Sequence, residues 1–237
     1  MLVVNLPDST SKYDKKYFRK ALAYSIDKEK LFNKLTDLLD DYPIDSNGNY
    51  LIGPGIYGIV PPAFPEYDIK TIKGYSLNRD SSTYYLKKSK YRTKDVNREL
   101  EICTDSHRTG MDYMPTTEIS IDWIKYLGLP FTYTNVVTRA IRNKQAFSGE
   151  EGVYLIPITK NKLPEEYLAL FYSKNNVPNA YTNNKQIAYK SSVFDSCYEA
   201  GLNDLNRVDA IMNFKAAEQV LIDDAVVIPL FYSKFIY

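Results

Sequence analysis

Residues 113–136, YMPTTEISIDWIKYLGLPFTYTNV, contain a complete helix followed by a strand. Ile119, Trp123 and Leu127 recur at helical spacing, and Gly128 ends the helix because glycine readily adopts the left-handed conformation that closes helices. Residues 131–136 are rich in β-branched and aromatic side chains, which favour strands. A helix followed by a strand is the repeating unit of an α/β fold.

The residues before this stretch predict elements of the same kind. Residues 2–5, LVVN, predict a strand, and their first three side chains are apolar. Asp14 and Asp27 are suited to cap two consecutive helices that each carry an apolar stripe. A third helix begins at Asn78 or Asp80. Residues 99–104 alternate between apolar and charged or small side chains, as a half-buried strand does.

The residues after it continue the alternation. Residues 153–158 are almost continuously apolar and predict a central strand that ends or bulges at Pro157, because proline cannot donate a ladder hydrogen bond. The remaining predicted elements are helices at 138–145, 164–172, 192–201 and 206–222, and a buried closing strand at 226–231. The expected fold class is α/β, a mixed sheet flanked by helices.

Residues 41–68 have a different composition, with glycine and proline throughout. A flexible linker would be rich in glycine and serine, whereas this segment also carries apolar side chains that can be buried. The segment predicts a long ordered loop that wraps the rest of the domain.

Composition limits the possible functions. Hydrophobic residues make up 44% of the 237 residues, which is enough for a folded core. The 30 basic and 29 acidic residues leave a net charge of +1, which argues against nucleic-acid binding. The 22 tyrosines and 10 phenylalanines are compatible with an aromatic-lined cleft, but AT-rich codons would enrich tyrosine, lysine, asparagine and isoleucine without any functional selection.

No motif requires catalysis, and the chain is not expected to be an enzyme. His107 is the single histidine and follows Asp105 and Ser106, but adjacent side chains on an extended chain point apart and do not form a triad. One histidine and two distant cysteines, Cys103 and Cys197, do not form a typical zinc site, and whether the cysteines pair stays open. Phosphate-binding glycine motifs are missing, and no cofactor is expected.

The length of 237 residues suggests one domain or one large lobe, and the sequence shows no targeting signal. The chain has no apolar stretch long enough to span a bilayer, and its first residues are too short for a signal peptide. The strand predicted at residues 2–5 begins without a preceding cap or turn, which suggests a fragment boundary.

Five segments, in order, resemble solute-binding protein family 5, the oligopeptide-, dipeptide- and nickel-binding type that serves ABC importers. Residues 17–31, YFRKALAYSIDKEKL, resemble the helix pair that the family writes VRQALAYAIDREAL. The other four segments are 53–68, which ends VPPAFPEYD; 121–129, IDWIKYLGL; 179–195, with NAYTNN and YKSSVFD; and 207–232, which ends AEQVLIDDAVVIPLFY. Together they span almost the whole chain.

The resemblance implies that residues 1–237 are a single C-terminal ligand-binding lobe. Family members are about twice as long and close two lobes over a ligand, so the N-terminal lobe, signal peptide and lipid-anchor cysteine would lie outside this sequence. The expected ligand is a peptide or another small polar solute. The expected partners are the missing lobe and the permease subunits of an ABC importer, and the expected location is outside the cytoplasm.

The resemblance also indicates ligand-binding residues. The family often carries W-x-x-D-Y-x-x-P, whose aspartate holds the α-amino group of a peptide, and Lys160 stands at the position of that aspartate here. A cation would repel an ammonium, so Lys160 is predicted to pair with an anionic or polar group, and the alternative is a solvated lysine in a diverged loop. Thr159, Tyr154, Phe231 and Tyr232 are predicted to line the cleft; the aromatic residues are equally compatible with a plain core.

Two other functions stay open at this point. The chain could be a diverged sensory or interaction domain that keeps the lobe fold without transport, which a DNA-binding or kinase segment in the flanking gene sequence would indicate. A hydrolase is the third alternative, and His107→Ala would test it.

Overall fold

A five-stranded mixed sheet lies at the centre of the protein in the computed structural model. The structure describes residues 1–5, 15–41, 51–91, 100–105, 113–129, 131–136, 138, 141–142, 145–146, 152–156, 163–174 and 189–233. The strands are β1 (Leu2–Asn5), β2 (Leu51–Pro54), β3 (Leu100–Asp105), β4 (Phe131–Val136), β5 (Gly152–Leu155), β6 (Val227–Ile228) and β7 (Phe231–Ser233). The helices are α1 (Lys15–Tyr24), α2 (Lys28–Asp41), α3 (Arg79–Ser89), α4 (Tyr113–Leu127), α5 (Pro164–Leu168), α6 (Ser192–Asn203) and α7 (Arg207–Asp223), with 3₁₀ turns at Pro65–Tyr67, Ile69–Thr71 and Ala169–Phe171.

The strand order of the main sheet is β4-β3-β5-β1-β6. β3 is parallel to both β4 and β5, and β1 is antiparallel to both β5 and β6. The predicted α/β fold class, a mixed sheet flanked by helices, is confirmed. β5 occupies the central position that its continuous apolar sequence predicted, and it ends at Leu155, two residues before Pro157.

Three predicted helix starts are confirmed by their caps. The Asp27 carboxylate accepts a hydrogen bond from the amide of Lys30 at 3.0 Å. The side chain of Asn78, and not that of Asp80, caps α3, and the side chain of Asn206 caps α7. These caps satisfy amides that have no partner within the first helical turn. Asp14 and half of the helix predicted at 138–145 lie outside the described residues.

The closing strand differs from the prediction. Residues 226–231 were expected to form one strand, but they divide between β6 in the main sheet and β7, which pairs with β2 in a separate two-stranded ribbon. Pro229 lies at the break and has no amide hydrogen to continue the ladder. The next residue, Leu230, accepts a hydrogen bond from the amide of Gly55 at 2.8 Å, which directs the chain into the ribbon.

The glycine- and proline-rich segment wraps onto α7, as its composition predicted. The Glu218 carboxylate, fully buried on α7, accepts hydrogen bonds from the amides of Ile59 and Val60 and from the Tyr67 hydroxyl. The Tyr75 hydroxyl donates to the carbonyl oxygen of Ile222 at 2.7 Å. Burial raises the pKa of Glu218 to about 7, although the three hydrogen bonds oppose that shift.

Gly55 and Gly53 provide a matched test of this packing. A Cβ atom added at Gly55 would lie 2.7 Å from the backbone nitrogen of Leu230, whereas one added at Gly53 meets nothing within 4 Å. We expect Gly55→Ala to lower the free energy of unfolding by about 2 kcal/mol, and Gly53→Ala to change it by less than about 0.5 kcal/mol, in urea titrations. Equal effects of the two substitutions would contradict the close approach of residue 55 to β7.

The buried carboxyl group of Glu218 predicts a pH dependence of stability. Its folded pKa of about 7 lies above the unfolded value of 4.5, so the folded state holds the extra proton between these values and stability falls as pH rises through that window. We expect Glu218→Gln to remove a decline of about 1 kcal/mol per pH unit, measured by urea unfolding. Glu29→Gln, at an exposed glutamate on α2, should leave the decline in place. An unchanged slope in Glu218→Gln would contradict the assignment.

Candidate functional site

Three parallel strands end together at one edge of the main sheet, which we call the carboxyl edge. Asp105 at the end of β3 lies opposite Val136 at the end of β4, and Cys103 lies opposite Tyr154 on β5. In open α/β sheets, ligands bind in the crevice outside the carboxyl ends of parallel strands. The carboxyl edge is therefore the candidate ligand site of this chain.

The antiparallel strands bring further residues to the same edge. Leu2 lies opposite both Leu155 on β5 and Ile228 on β6, and the amide of Ile156 donates to the carbonyl oxygen of Met1 at 2.8 Å. β6 therefore runs toward the carboxyl edge, and the β2–β7 ribbon begins directly beyond it. In that ribbon, Phe231 pairs with Pro54.

The predicted site residues divide into two groups. Thr159 and Lys160 follow β5 in the sequence and, like His107, lie outside the residues that the structure describes. Tyr154 and Tyr232 lie in the hydrophobic core with 2% and 7% of their surface exposed.

The two tyrosines and Phe231 occupy different surroundings. The Tyr154 ring lies beside Gly152 within β5, 3.2 Å from where a Cβ of that residue would stand. The Tyr232 hydroxyl donates to the carbonyl oxygen of Gly58 at 2.7 Å, and burial raises its pKa. Phe231 is half-buried. Contact of any of the three with a solute stays a prediction.

Two basic side chains, Lys28 and Arg142, are buried, and no sequence pattern predicted their burial. Lys28, at the start of α2, is 1% exposed, and its ammonium donates to the carbonyl oxygen of Gly55 at 2.8 Å. Burial lowers the pKa of Lys28 to about 7. Arg142 is also 1% exposed.

A second concavity lies between α5, α6 and α7, with a volume of about 200 Å³. Arg207 at its rim makes two hydrogen bonds, of 2.9 and 3.2 Å, to the Glu165 carboxylate, and Phe214 lies at its base. Ligand pockets usually enclose about 300–1,000 Å³. The volume of this concavity is smaller than that range, and its charged groups Arg207 and Glu165 already pair with each other.

The described residues contain neither a cluster of metal-ligating side chains nor a disulfide bond. Within them, no group of three or more histidine, cysteine or acidic side chains is placed to hold a metal ion. Cys103 and Cys197, which both belong to the described part of the chain, are not joined by a disulfide bond. No helix in that part is sufficiently long and apolar to cross a membrane.

Comparison with known proteins shows the fold. No protein-family model matches the chain, and no curated protein matches it in sequence. It superposes on the peptide-binding protein of a peptide ABC transporter with a TM-score of 0.70 and 18% identity. It also superposes on the periplasmic binding protein DppA of Helicobacter pylori, solved with the peptide STSA, with a TM-score of 0.69 and 18% identity. A periplasmic oligopeptide-binding protein from Borrelia burgdorferi gives a TM-score of 0.71 at 17% identity.

The chain has the fold of these substrate-binding proteins. The three superpositions cover 97–98% of the chain. The chain spans 40% of the length of the Helicobacter protein, 42% of the Borrelia protein and 96% of the other structure. All three are named as binding proteins.

Proposed function

We propose that this chain is the C-terminal ligand-binding lobe of an extracytoplasmic solute-binding protein of family 5, which delivers its solute to the permease subunits of an ABC importer. The observation that carries the proposal is the superposition of almost the whole chain on proteins named for peptide binding. The five sequence segments that resemble the family, in the same order, support it independently.

Capture of the solute follows from the position of the carboxyl edge. The edge supplies one wall of the site, and a second lobe supplies the other wall when the two close about a hinge. The chain spans 40% of the Helicobacter protein and 42% of the Borrelia protein, so the rest of each of these proteins is long enough to contain such a lobe. Thr159 and Lys160 would contact the solute directly, and Tyr154, Phe231 and Tyr232 would line or support the cleft.

The charges near the edge favour a solute with an anionic or strongly polar group. Lys160 stands at the position of the family aspartate that neutralises the amino group of a peptide, and the buried Lys28 bonds the carbonyl oxygen of Gly55 beside the β2–β7 ribbon. A free ammonium would meet like charge there, which costs binding energy in a desolvated site. The solute is therefore a peptide without a free amino group at this contact, or another small polar molecule.

Selection from a peptide mixture tests both the function and the role of Lys160. The full-length, two-lobed protein is incubated with random tri- to hexapeptides, half of them with N-terminal succinyl groups that replace the ammonium by a carboxylate. We expect the protein to retain succinylated peptides in preference to free amines, because they place an anion beside Lys160. Lys160→Glu should reverse the preference by about tenfold or more, measured by mass spectrometry of the retained fraction.

Lys162→Glu is the matched control, since it reverses a charge two residues away in the same segment. It should leave the preference unchanged. Retention of neither peptide class by the wild-type protein would contradict peptide capture, and an equal shift in both variants would contradict a direct contact of Lys160.

A further inference from the structure

The lysines and tyrosines of α1 and α3 form one surface, which we call the basic–tyrosine surface. α1, α3 and the residue after α3 carry eight of the 30 basic residues of the chain but one of its 29 acidic residues. The basic residues are Lys15, Lys16, Arg19, Lys20, Arg79, Lys87, Lys88 and Lys90. A net charge of +1 for the whole chain therefore conceals a concentrated positive patch.

The start of α1 and the end of α3 lie at the edge of the sheet opposite the candidate ligand site, whereas Arg79 lies at the other end of α3, beside Tyr126. The Lys16 ammonium bonds the Asp224 carboxylate at 2.7 Å, and Asp224 shortly precedes β6 at the edge where β5 begins. The Lys88 ammonium lies 4.3 Å from the ring centre of Tyr17, which places the end of α3 beside the start of α1. A partner bound here would leave the carboxyl edge uncovered.

Of the acidic groups in the described part of the chain, Asp80, Asp223 and Asp224 lie around this surface. Asp224 pairs with Lys16 and also accepts from the Tyr189 hydroxyl. The acidic residue of α3, Asp80, lies in the first turn, at the opposite end of the helix from Lys87 and Lys88. Both of these lysines are exposed.

The ring faces of the tyrosines are already occupied. Tyr85 stacks on Tyr17 at 5.9 Å and on Tyr24 at 5.6 Å, and the Lys20 ammonium lies 5.5 Å from its centre. Proteins that bind single-stranded nucleic acids offer free aromatic faces on which bases stack. A partner here instead meets ammonium groups, hydroxyl groups and the ring of Tyr84, which is 56% exposed.

We propose that the basic–tyrosine surface binds an anionic phospholipid membrane. Lysines near such a surface are attracted to its headgroups, and amphipathic tyrosine rings are enriched at headgroup depth. Two packed helices present a broad face to a plane of headgroups. The exposed side chains of this face are polar or tyrosine, so the contact is peripheral and depends on ionic strength.

Vesicle flotation tests the proposal. The wild-type chain should bind vesicles of phosphatidylcholine and phosphatidylglycerol in equal parts, release them at high salt, and fail to bind pure phosphatidylcholine. The triple variant Lys20→Gln, Lys87→Gln, Lys88→Gln should bind the anionic vesicles about a hundredfold more weakly. Tyr84→Ser should weaken binding by a smaller factor.

A second triple variant, Lys34→Gln, Lys70→Gln, Lys174→Gln, removes the same net charge from exposed lysines on other parts of the chain and should retain most of the binding. Thermal unfolding of every variant checks that it is folded. Equal losses in the two triple variants, absence of binding to the anionic vesicles, or tighter binding of heparin or DNA by the same lysines would each overturn the proposal.

Discussion

The Glu218 carboxylate is the contact on which the packing of the glycine- and proline-rich segment depends. It is fully buried and accepts hydrogen bonds from the amides of Ile59 and Val60 and from the Tyr67 hydroxyl. A buried carboxylate is stable only where such donors surround it. Because α7 leads directly into β6, this one side chain links the wrapped segment to the main sheet.

The wrapped segment in turn determines where the β2–β7 ribbon lies. The amide of Gly55 bonds the carbonyl oxygen of Leu230 at 2.8 Å, and the Lys28 ammonium bonds the carbonyl oxygen of Gly55 at 2.8 Å. Both contacts lie close to the carboxyl edge, where β6 ends and β7 begins. The packing of the glycine- and proline-rich segment on α7 and the position of the Lys28 ammonium near the candidate ligand site therefore depend on the same backbone contacts at Gly55.

Local sequence patterns predicted most of the fold. The bounds of α4 and β4 follow from apolar spacing, Gly128 and β-branched residues, all of which act over a few positions. The prediction of one closing strand at residues 226–231 was wrong because the effect of Pro229 depends on β2, a partner more than 170 residues away. Strand order also depends on distant partners, although the continuous apolar run of β5 indicated its central place.

The candidate site was less predictable, for the same physical reason. Lys28 lies in a run of charged residues that is typical of a solvated helix face, and its burial arises only when residues 53–55 pack over it. The sequence resemblance supplied Lys160, Thr159 and the cleft aromatics, whose roles depend on a solute and a second wall.

Calorimetric titration tests the central claim most directly, with the solute that the full-length protein retains from a peptide-rich extract. We predict tight binding to the two-lobed protein and at least about a hundredfold weaker binding to this chain alone, because half of the contacts are missing. Equal affinity for both would contradict capture between two lobes.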